Sequence, residues 1–513
     1  MNCSTIVDQW AKYEPDRTAL VCGEKRLSYG ELKKRVNRLA NGLVSYGIQK
    51  NDKVALLLDN CNEMIELNFA LSKIGAWMVP LNFRYNADEL QFFIKHSDST
   101  FVVYHDFWRD KLEWVDSSNI NIKSLICVGC LDKKKKDNRI TYEEIIESGS
   151  TEEPGIEVQM DDIQAIMYTS GSTDKPKGAL LSHGNWIWNA IGFNLFVSPK
   201  ALRVGVVPIP MFHTAGLHCI ALPVMLMGGK LVILPLRNGF SAANLAKAII
   251  DEKVTYTYMA PEMWTLLSQL PAEQYDFSSM ECCIGAGGVL PIKVYEKLLK
   301  DFGLNVIMCY GLTEAGPLVS PATIEQKAKS PDTIGHPLFF PEVRLVDDQD
   351  MDVAIGEVGE CIIKGPNVCH GYYKSPELNK QLIKNGWLHT GDLLRMDQDK
   401  LLYFSSRKKD MIKSGGENIY AAEVENILNR HPKISQCVVI GVPHPKWGEG
   451  VKAIIIPKPG ETLTEAEVLD YCKGAMASYK KPQVIEFVKE IPMLATGKVD
   501  KVTIRKKYGA LYK

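Results

Sequence analysis

YTSGSTDKPKG, residues 168–178, is the stretch on which the fold and chemistry of this chain turn. It follows an apolar run at 163–167 and carries Thr169, Ser170, Ser172, Thr173, Lys175 and Lys177, with Gly171, Pro176 and Gly178 as breakers. That order suits a strand feeding a loop that cradles phosphate. Hydroxyls and amides donate, the lysines bring charge, and glycine lets the backbone approach phosphate oxygens closely. The stretch is not a Walker loop, because Gly-x4-Gly-Lys-Ser/Thr is absent. A loop of this composition is, alone, more often a solvated surface loop than a nucleotide site, so its meaning depends on the segments downstream of it.

Four further segments occur in order: YGLTEAG at 310–316, GWLHTGD at 386–392, SRKKDMIKSGGENIY at 406–420 and PMLATGK at 492–498. Each is weak alone, but five such strings in this order across about 330 residues leave coincidence negligible. The series resembles the adenylate-forming superfamily of acyl-CoA synthetases, peptide-synthetase adenylation domains and luciferases, and the resemblance covers nearly the whole chain. The expected fold is α/β: a large N-terminal domain of parallel sheets covered by helices plus a β-rich subdomain at 1–406, a hinge at 407–410, and a small mobile α+β C-terminal lid at 411–513.

Composition agrees with a multidomain enzyme. The 513 residues exceed what one hydrophobic core supports, and 46% hydrophobic content is ordinary for globular proteins. Sixty basic and 61 acidic residues leave a net charge of −1, which supplies no global field for nucleic acid or an anionic membrane. Nucleic acid is not an expected partner. No secretory leader pattern opens the chain, and the most apolar window, 217–227, is short and followed by Gly228 and Gly229, so no integral membrane segment is expected. The thirteen cysteines are read as scattered, without Cys-x-x-Cys or metal-ligand spacing, and hence as reduced, mostly buried thiols, so a cytoplasmic protein is expected. Oligomeric state is not legible.

Along the chain, a strand at 16–24 and an amphipathic helix with Leu32, Val36, Leu39 and Leu43 at helical spacing come first. Short apolar runs at 53–58, 76–80, 101–104 and 124–128 then alternate with helical patterns, which argues for parallel sheets covered by helices. The lysines at 133–136 sit between Asp132 and Asp137 and read as an exposed loop without function. Apolar stripes at 217–226 and 256–267 have helical spacing; such stripes are usually core, and in the superfamily they also line an acyl tunnel. Residues 339–359 read as short antiparallel strands, and the lid as helices at 423–428 and 464–477 with strands at 437–442 and 452–456.

The resemblance also implies roles for individual residues. His213 is either a core histidine or a wall between nucleotide and carboxylate, and the family pattern favours the wall, with Gly216 and Gly288 beside it at the acyl pocket. In IGAGGVLP, 284–291, bare backbone at Gly287 and Gly288 can face a flat base, although Gly288 and Val289 stand where the family commonly has Ala and Pro. Tyr310 offers a stacking face next to Gly311, Thr313 a hydroxyl, and Glu314 a hard carboxylate for Mg2+ rather than an ordinary surface carboxylate. Asp392 suits two ribose hydroxyls, joined by Arg407. Lys409 is the hinge, and Ser414, Gly415 and Gly416 form either a passage for the pantetheine arm of CoA or a simple tight turn. Lys498 is the catalytic lysine, and Gly171 completes the phosphate loop.

The implied function is an ATP-dependent acid–CoA ligase. A carboxylate attacks the α-phosphorus, pyrophosphate leaves, and CoA takes the acyl group from the adenylate after the lid turns. ATP and CoA are co-substrates and Mg2+ the metal. The apolar stripes, without a fixed charged partner, point to a medium- or long-chain fatty acid. An aryl or short branched acid, transfer to a carrier protein, and, in a different class, a non-catalytic nucleotide-binding regulator are the alternatives; the presence of both Lys498 and Glu314 favours catalysis.

Overall fold

The apolar run before the phosphate-type loop becomes the strand Ile163–Thr169, which turns back antiparallel on Lys177–Ser182. This computed structural model describes residues 1–117, 121–130, 139–169, 176–288, 290–493 and 499–509. The hairpin forms one edge of a seven-stranded sheet. Its other strands, in spatial order away from the hairpin, are Trp77–Pro80, Lys53–Leu57, Phe101–His105, Ser124–Val128 and Arg139–Thr141, all parallel.

A second sheet of eight strands has a parallel centre. Lys230–Ile233, Val204–Val207, Tyr256–Met259, Cys282–Ala286 and Val306–Tyr310 run side by side in that order. Both of its ends close with an antiparallel pair, Thr18–Cys22 with Lys25–Ser28 and Val306–Tyr310 with Ser320–Pro321. The expectation of parallel sheets therefore holds for the centres and is corrected at the edges, where each sheet is mixed. An antiparallel edge strand needs only a tight turn, whereas a parallel one needs a crossover. The stripe at 256–267 is also corrected: its first half is the strand Tyr256–Met259, and the helix Pro261–Leu267 begins at a proline, whose fixed φ and missing N–H suit a first helical position.

Between the two sheets lies the helix Asn62–Ile74, all thirteen residues of which are buried. A helix covered all round must partner any charge it carries. Glu66, 1% exposed, accepts from Arg35 at 2.7 Å and from the Tyr142 hydroxyl at 2.8 Å. Just before this helix, Asp59 and Asn60 tie the sheets together. Asp59 accepts the backbone N–H groups of Leu236 and Arg237 at 2.8 and 3.0 Å. Asn60 donates to the carbonyls of Ile209 and Leu234 and accepts the Met211 N–H at 2.8 Å. Two consecutive polar side chains of one sheet thus fix the loop of the other that carries His213.

The predicted antiparallel region is a five-stranded sheet built on Glu342–Val346, Val358–Lys364, Trp387–Met396 and Leu402–Arg407, with Ile383–Lys384 at its edge. Beyond it, Met411–Ser414, Glu417–Tyr420, Ile434–His444, Gly448–Pro457 and Val484–Phe487 form the C-terminal sheet, packed with the helices Ala421–Leu428 and Glu465–Ala475 around one apolar cluster. Among the described residues no helix is long and apolar enough to cross a membrane.

One expectation fails outright. Cys127-Val128-Gly129-Cys130 has Cys-x-x-Cys spacing, and the two sulfurs are bonded as a disulfide rather than scattered as thiols. The strand Ser124–Val128 ends at this point, and Gly129 at φ +77° turns the chain so that the second sulfur meets the first. The other eleven cysteines are free, all buried except the half-buried Cys22.

Candidate active site

Of the residues expected to form the site, Ser170, Gly171, Ser172, Thr173, Lys175 and Lys498 lie outside the described residues. The frame around them is described. Thr169 and Lys177 face each other at the mouth of the hairpin, where the Thr169 hydroxyl donates to the Lys177 carbonyl at 3.4 Å. The Lys177 ammonium sits 5.2 Å above the ring of Tyr372. The hydroxyl of that tyrosine donates to Glu314 Oε1 at 2.6 Å.

Tyr372 belongs to a segment that the sequence did not single out. Residues 370–373 run along the second strand of the hairpin, with Leu180 N–H donating to Gly371 O and Tyr373 N–H to Gly178 O, each at 2.8 Å. Cys369 N–H donates to the Glu314 carbonyl at 2.9 Å. The phosphate-type hairpin and the YGLTEAG motif are thus joined by a stretch between them. Its only signal in the sequence is a pair of aromatics, Tyr372 and Tyr373, directly after Gly371 in a run without helical or strand period.

Glu314 is 9% exposed and rides on a single 3-10 turn, Thr313–Ala315. The turn is pinned by the Asn367 amide, which donates to the Ala315 carbonyl at 2.6 Å. Thr313 reaches the His213 loop through the Thr214 hydroxyl at 3.4 Å. His213 is half-buried and its Nδ1 accepts the Ala215 N–H at 3.2 Å, which leaves the proton of the neutral ring on Nε2. Gly216 lies in a π-helical segment, Ala215–Ala221; a Cβ there would lie 2.6 Å from the Pro210 carbonyl oxygen, so the backbone itself requires the glycine. Gly288 is different: it is exposed, and a Cβ would meet only the Pro261 ring at 3.4 Å. The alanine common in the family fits here without rearrangement.

A second carboxylate cluster lies at the edge of the five-stranded sheet. Asp392 and Arg407 are cross-strand partners, with Arg407 Nε 3.4 Å from Asp392 Oδ1. Asp392 is 6% exposed, and the Tyr310 hydroxyl donates to its Oδ2 at 2.8 Å. Tyr310 comes from the end of Val306–Tyr310, next to Gly311, so the structure brings the YGLTEAG and GWLHTGD motifs together. Burial and the neighbouring carboxylate push the pKa of both phenols up, Tyr310 beside Asp392 and Tyr372 beside Glu314. Each phenol therefore keeps its proton and donates it, which fixes the direction of the carboxylate it faces.

The segment 407–410 is held from both sides. Lys408 pairs with Glu360 at 3.0 Å and Asp348 at 2.8 Å in the five-stranded sheet, while Asp410 pairs with Arg505 at 2.6 Å in the C-terminal part. Lys409, between them, is an exposed residue, yet desolvation of its ammonium pushes the pKa down despite the charge of Asp410. Beyond it, Gly415 and Gly416, at φ +59° and +89°, join Met411–Ser414 to Glu417–Tyr420 as a two-residue hairpin turn. Positive φ at both central positions is what such a turn demands, so the simple-turn reading accounts for both glycines. Ser414 is buried at its start.

Set against known proteins, residues 7–373 match the AMP-binding enzyme family, and residues 423–498 match the AMP-binding enzyme C-terminal domain. The chain belongs to the AMP-binding enzyme family. This AMP-binding enzyme is 35% identical over 500 residues to a feruloyl-CoA synthase of an Amycolatopsis species, with 97% of each chain covered. It is 33% identical over 521 residues to an indoleacetate–CoA ligase of Aromatoleum aromaticum, with 98% of each covered. Its fold matches the crystal structure of an anthranilate CoA ligase in complex with anthranoyl-AMP at a TM-score of 0.89 and 25% identity, covering 99% of this chain and 97% of that one. The AMP-binding enzyme is accordingly an acid–thiol ligase whose substrates are a small carboxylic acid, ATP and CoA.

Proposed function

We propose that the chain activates an aromatic carboxylic acid to its acyl-adenylate and passes the acyl group to CoA. The observation that carries the substrate class is the packing behind His213. His218, five residues beyond His213 and with its pKa pushed down by burial, stacks on Trp186 with ring centroids 3.1 Å apart. These two rings are 3% and 0% exposed. The stripe expected to line a tunnel, from Leu217 to Met225, is equally buried in the main apolar core. A long flexible chain has to displace that packing, and filling or emptying a close-packed core costs several kcal/mol. A short flat acid stops at the wall. The named relatives, which are feruloyl-, indoleacetate- and anthranilate-CoA enzymes, support the same class. The fatty-acid expectation is set aside on these grounds.

In this reading the amides and hydroxyls of 169–173, with Lys175 and Lys177, hold the phosphates, and Asp392 accepts from the ribose with its remaining lone pairs. Glu314 fits Mg2+ because it offers hard carboxylate oxygens and is oriented by the Tyr372 hydroxyl at 2.6 Å. The metal would supply charge neutralisation on the phosphates. Gly287, Gly288 and Tyr310 border the base. Lys498 donates to the developing charge as the acid's carboxylate attacks the α-phosphorus and pyrophosphate leaves. The lid, 411–513, then turns about Lys409 so that the CoA thiol, entering past Ser414, Gly415 and Gly416, attacks the acyl carbonyl and releases AMP.

The test is pyrophosphate release across aryl, fatty and dicarboxylic acids, with and without CoA. Aryl acids are expected to show the highest kcat/KM and full turnover only with CoA. A long-chain fatty acid preferred tenfold over every aryl acid would overturn the assignment.

A further inference from the structure

The bonded pair Cys127 and Cys130 lies outside the machinery described above. We propose that it is an exchangeable disulfide, opened and closed by low-molecular-weight thiols, that biases the acid-binding wall through the segment Asp106–Ser117.

Its surroundings favour the open form. Asp106 Oδ1 lies 3.6 Å from Cys127 Sγ and 3.3 Å from Cys130 Sγ. A carboxylate gains no hydrogen bond from two bonded sulfurs, whereas two thiols can donate to it. The Arg109 guanidinium, 3.5 Å from Cys130 Sγ, stabilises a thiolate there while pairing with Asp106 at 2.5 Å. Cys130 is partly exposed and Cys127 is 2% exposed, so the sulfur that reacts first is Cys130. With only 3 residues of separation, the bond closes the shortest kind of loop, which gives the least entropic stabilisation. Such a bond is poorly suited to be a structural staple. Thiols such as Cys283 and Cys309, by contrast, are held protonated by burial and do not compete.

Closure takes two exchanges. The Cys130 thiolate attacks a small disulfide RSSR, forming a mixed disulfide and releasing RS−. The Cys127 thiol, its proton taken by solvent through Asp106, then attacks Cys130 Sγ and releases the second RS−. The protein loses two electrons and RSSR becomes two RSH; opening is the reverse.

The same segment touches the site. Trp108 stacks on Phe83 at 5.6 Å, and Phe83 meets Phe212 edge-on at 5.3 Å, next to His213. Lys111 donates to the carbonyls of Phe83 and Tyr85 at 2.6 and 2.8 Å. Opening lets the thiols draw on Asp106 and loosens the first turn of this brace. The consequence for catalysis rests on His213 bordering the acid; the exchange itself does not.

The experiment equilibrates the full chain in glutathione buffers of graded ratio, traps it with acid, and reads Cys127 and Cys130 by differential alkylation and peptide mass. The pair is expected to interconvert across the series while the other eleven cysteines stay reduced, and Arg109→Gln should slow closure severalfold. The oxidised and reduced enzymes should differ in KM for the acid but not for ATP, and Cys130→Ser should abolish the difference. A pair that stays closed in excess glutathione, stays open in excess glutathione disulfide, or carries one Zn2+ per chain overturns the exchange. Equal KM for the acid in both states overturns the link to the wall alone.

Discussion

Tyr372→Phe removes a single oxygen and isolates how Glu314 is held. The phenyl ring stays beneath Lys177 and stays buried, since Tyr372 is only 8% exposed. What disappears is the donor 2.6 Å from Glu314 Oε1. A hydrogen bond to a charged group contributes about 1.5–3 kcal/mol, or roughly 10- to 150-fold in an equilibrium constant. Losing the donor has two opposed effects: it frees a lone pair on the carboxylate oxygen for a cation, and it removes the fixed direction of the carboxylate. Direction wins on magnitude, because removing the outer partner of a metal ligand typically costs about 10- to 100-fold in affinity or activity. The free Mg2+ needed for half-maximal pyrophosphate release, at saturating ATP and acid, should therefore rise by about that factor, with a near-normal melting transition. Glu314→Gln should raise it as well, by removing the charge. Adding Tyr372→Phe to Glu314→Gln should then change it by no more than about 0.5 kcal/mol if the tyrosine acts only through the glutamate. Wild-type Mg2+ dependence in Tyr372→Phe, or full additivity in the double variant, refutes the reasoning.

Lys498→Ala should lower adenylation by about 100-fold or more, the scale of one lost transition-state donor, while thioester formation from synthetic acyl-adenylate and CoA survives; an equal loss in both half-reactions would show a structural role. Lys409→Pro fixes φ near about −65° and restricts Lys408, so single-turnover adenylation should persist while transfer to CoA falls steeply, and equal effects on both steps reject the hinge. His183, 0% exposed, has its pKa lowered to about 3 by burial. The unfolded chain therefore takes up this proton first, so the contribution is intact above a pH of about 6.5 and is lost as pH falls toward the folded value, on the order of a few kcal/mol in all. His183→Phe should flatten stability against pH in that window, measured by denaturant midpoints; identical slopes would contradict it.

The order of elements was legible because period and punctuation are local. Alternating apolar runs and helical stripes mark the sheet centres, and the glycines of 415–416 mark their own hairpin. The antiparallel sheet edges were not legible, since an edge differs from a centre only in which strand comes to lie beside it. The pairing of Asp392 with Tyr310 was implied by two separate motifs, but the contact of Tyr372 with Glu314 spans 58 residues and carries no period. The disulfide is the opposite case. Its spacing is plain in CVGC at 127–130, so the expectation of cysteines without Cys-x-x-Cys spacing fails in the sequence itself, and the structure adds only the turn at Gly129 that brings the two sulfurs together.

The proposed hinge shows how such long-range pairs divide one residue's surroundings. Lys408 is tied to Glu360 and Asp348 on the large side, and Asp410 to Arg505 and Lys501 on the small side, at 2.6 and 3.7 Å for the latter pair. Asp410 is 8% exposed, and although burial opposes it, Lys501 and Arg505 hold its carboxyl below the usual range. The two neighbours of Lys409 are thus anchored on opposite sides, and on the proposed hinge a change in relative orientation would concentrate on the dihedrals between them. Across the two bodies, Arg430 pairs with Asp332 at 2.8 Å, with both side chains more than half exposed. An exposed pair of that kind contributes about 0–1 kcal/mol, too little to hold a lid against the binding energy of a nucleotide or CoA. On the proposed hinge, the Arg430–Asp332 pair adds little to the cost of turning the lid, and Arg430→Ala should leave both half-reactions within about a factor of five of wild type.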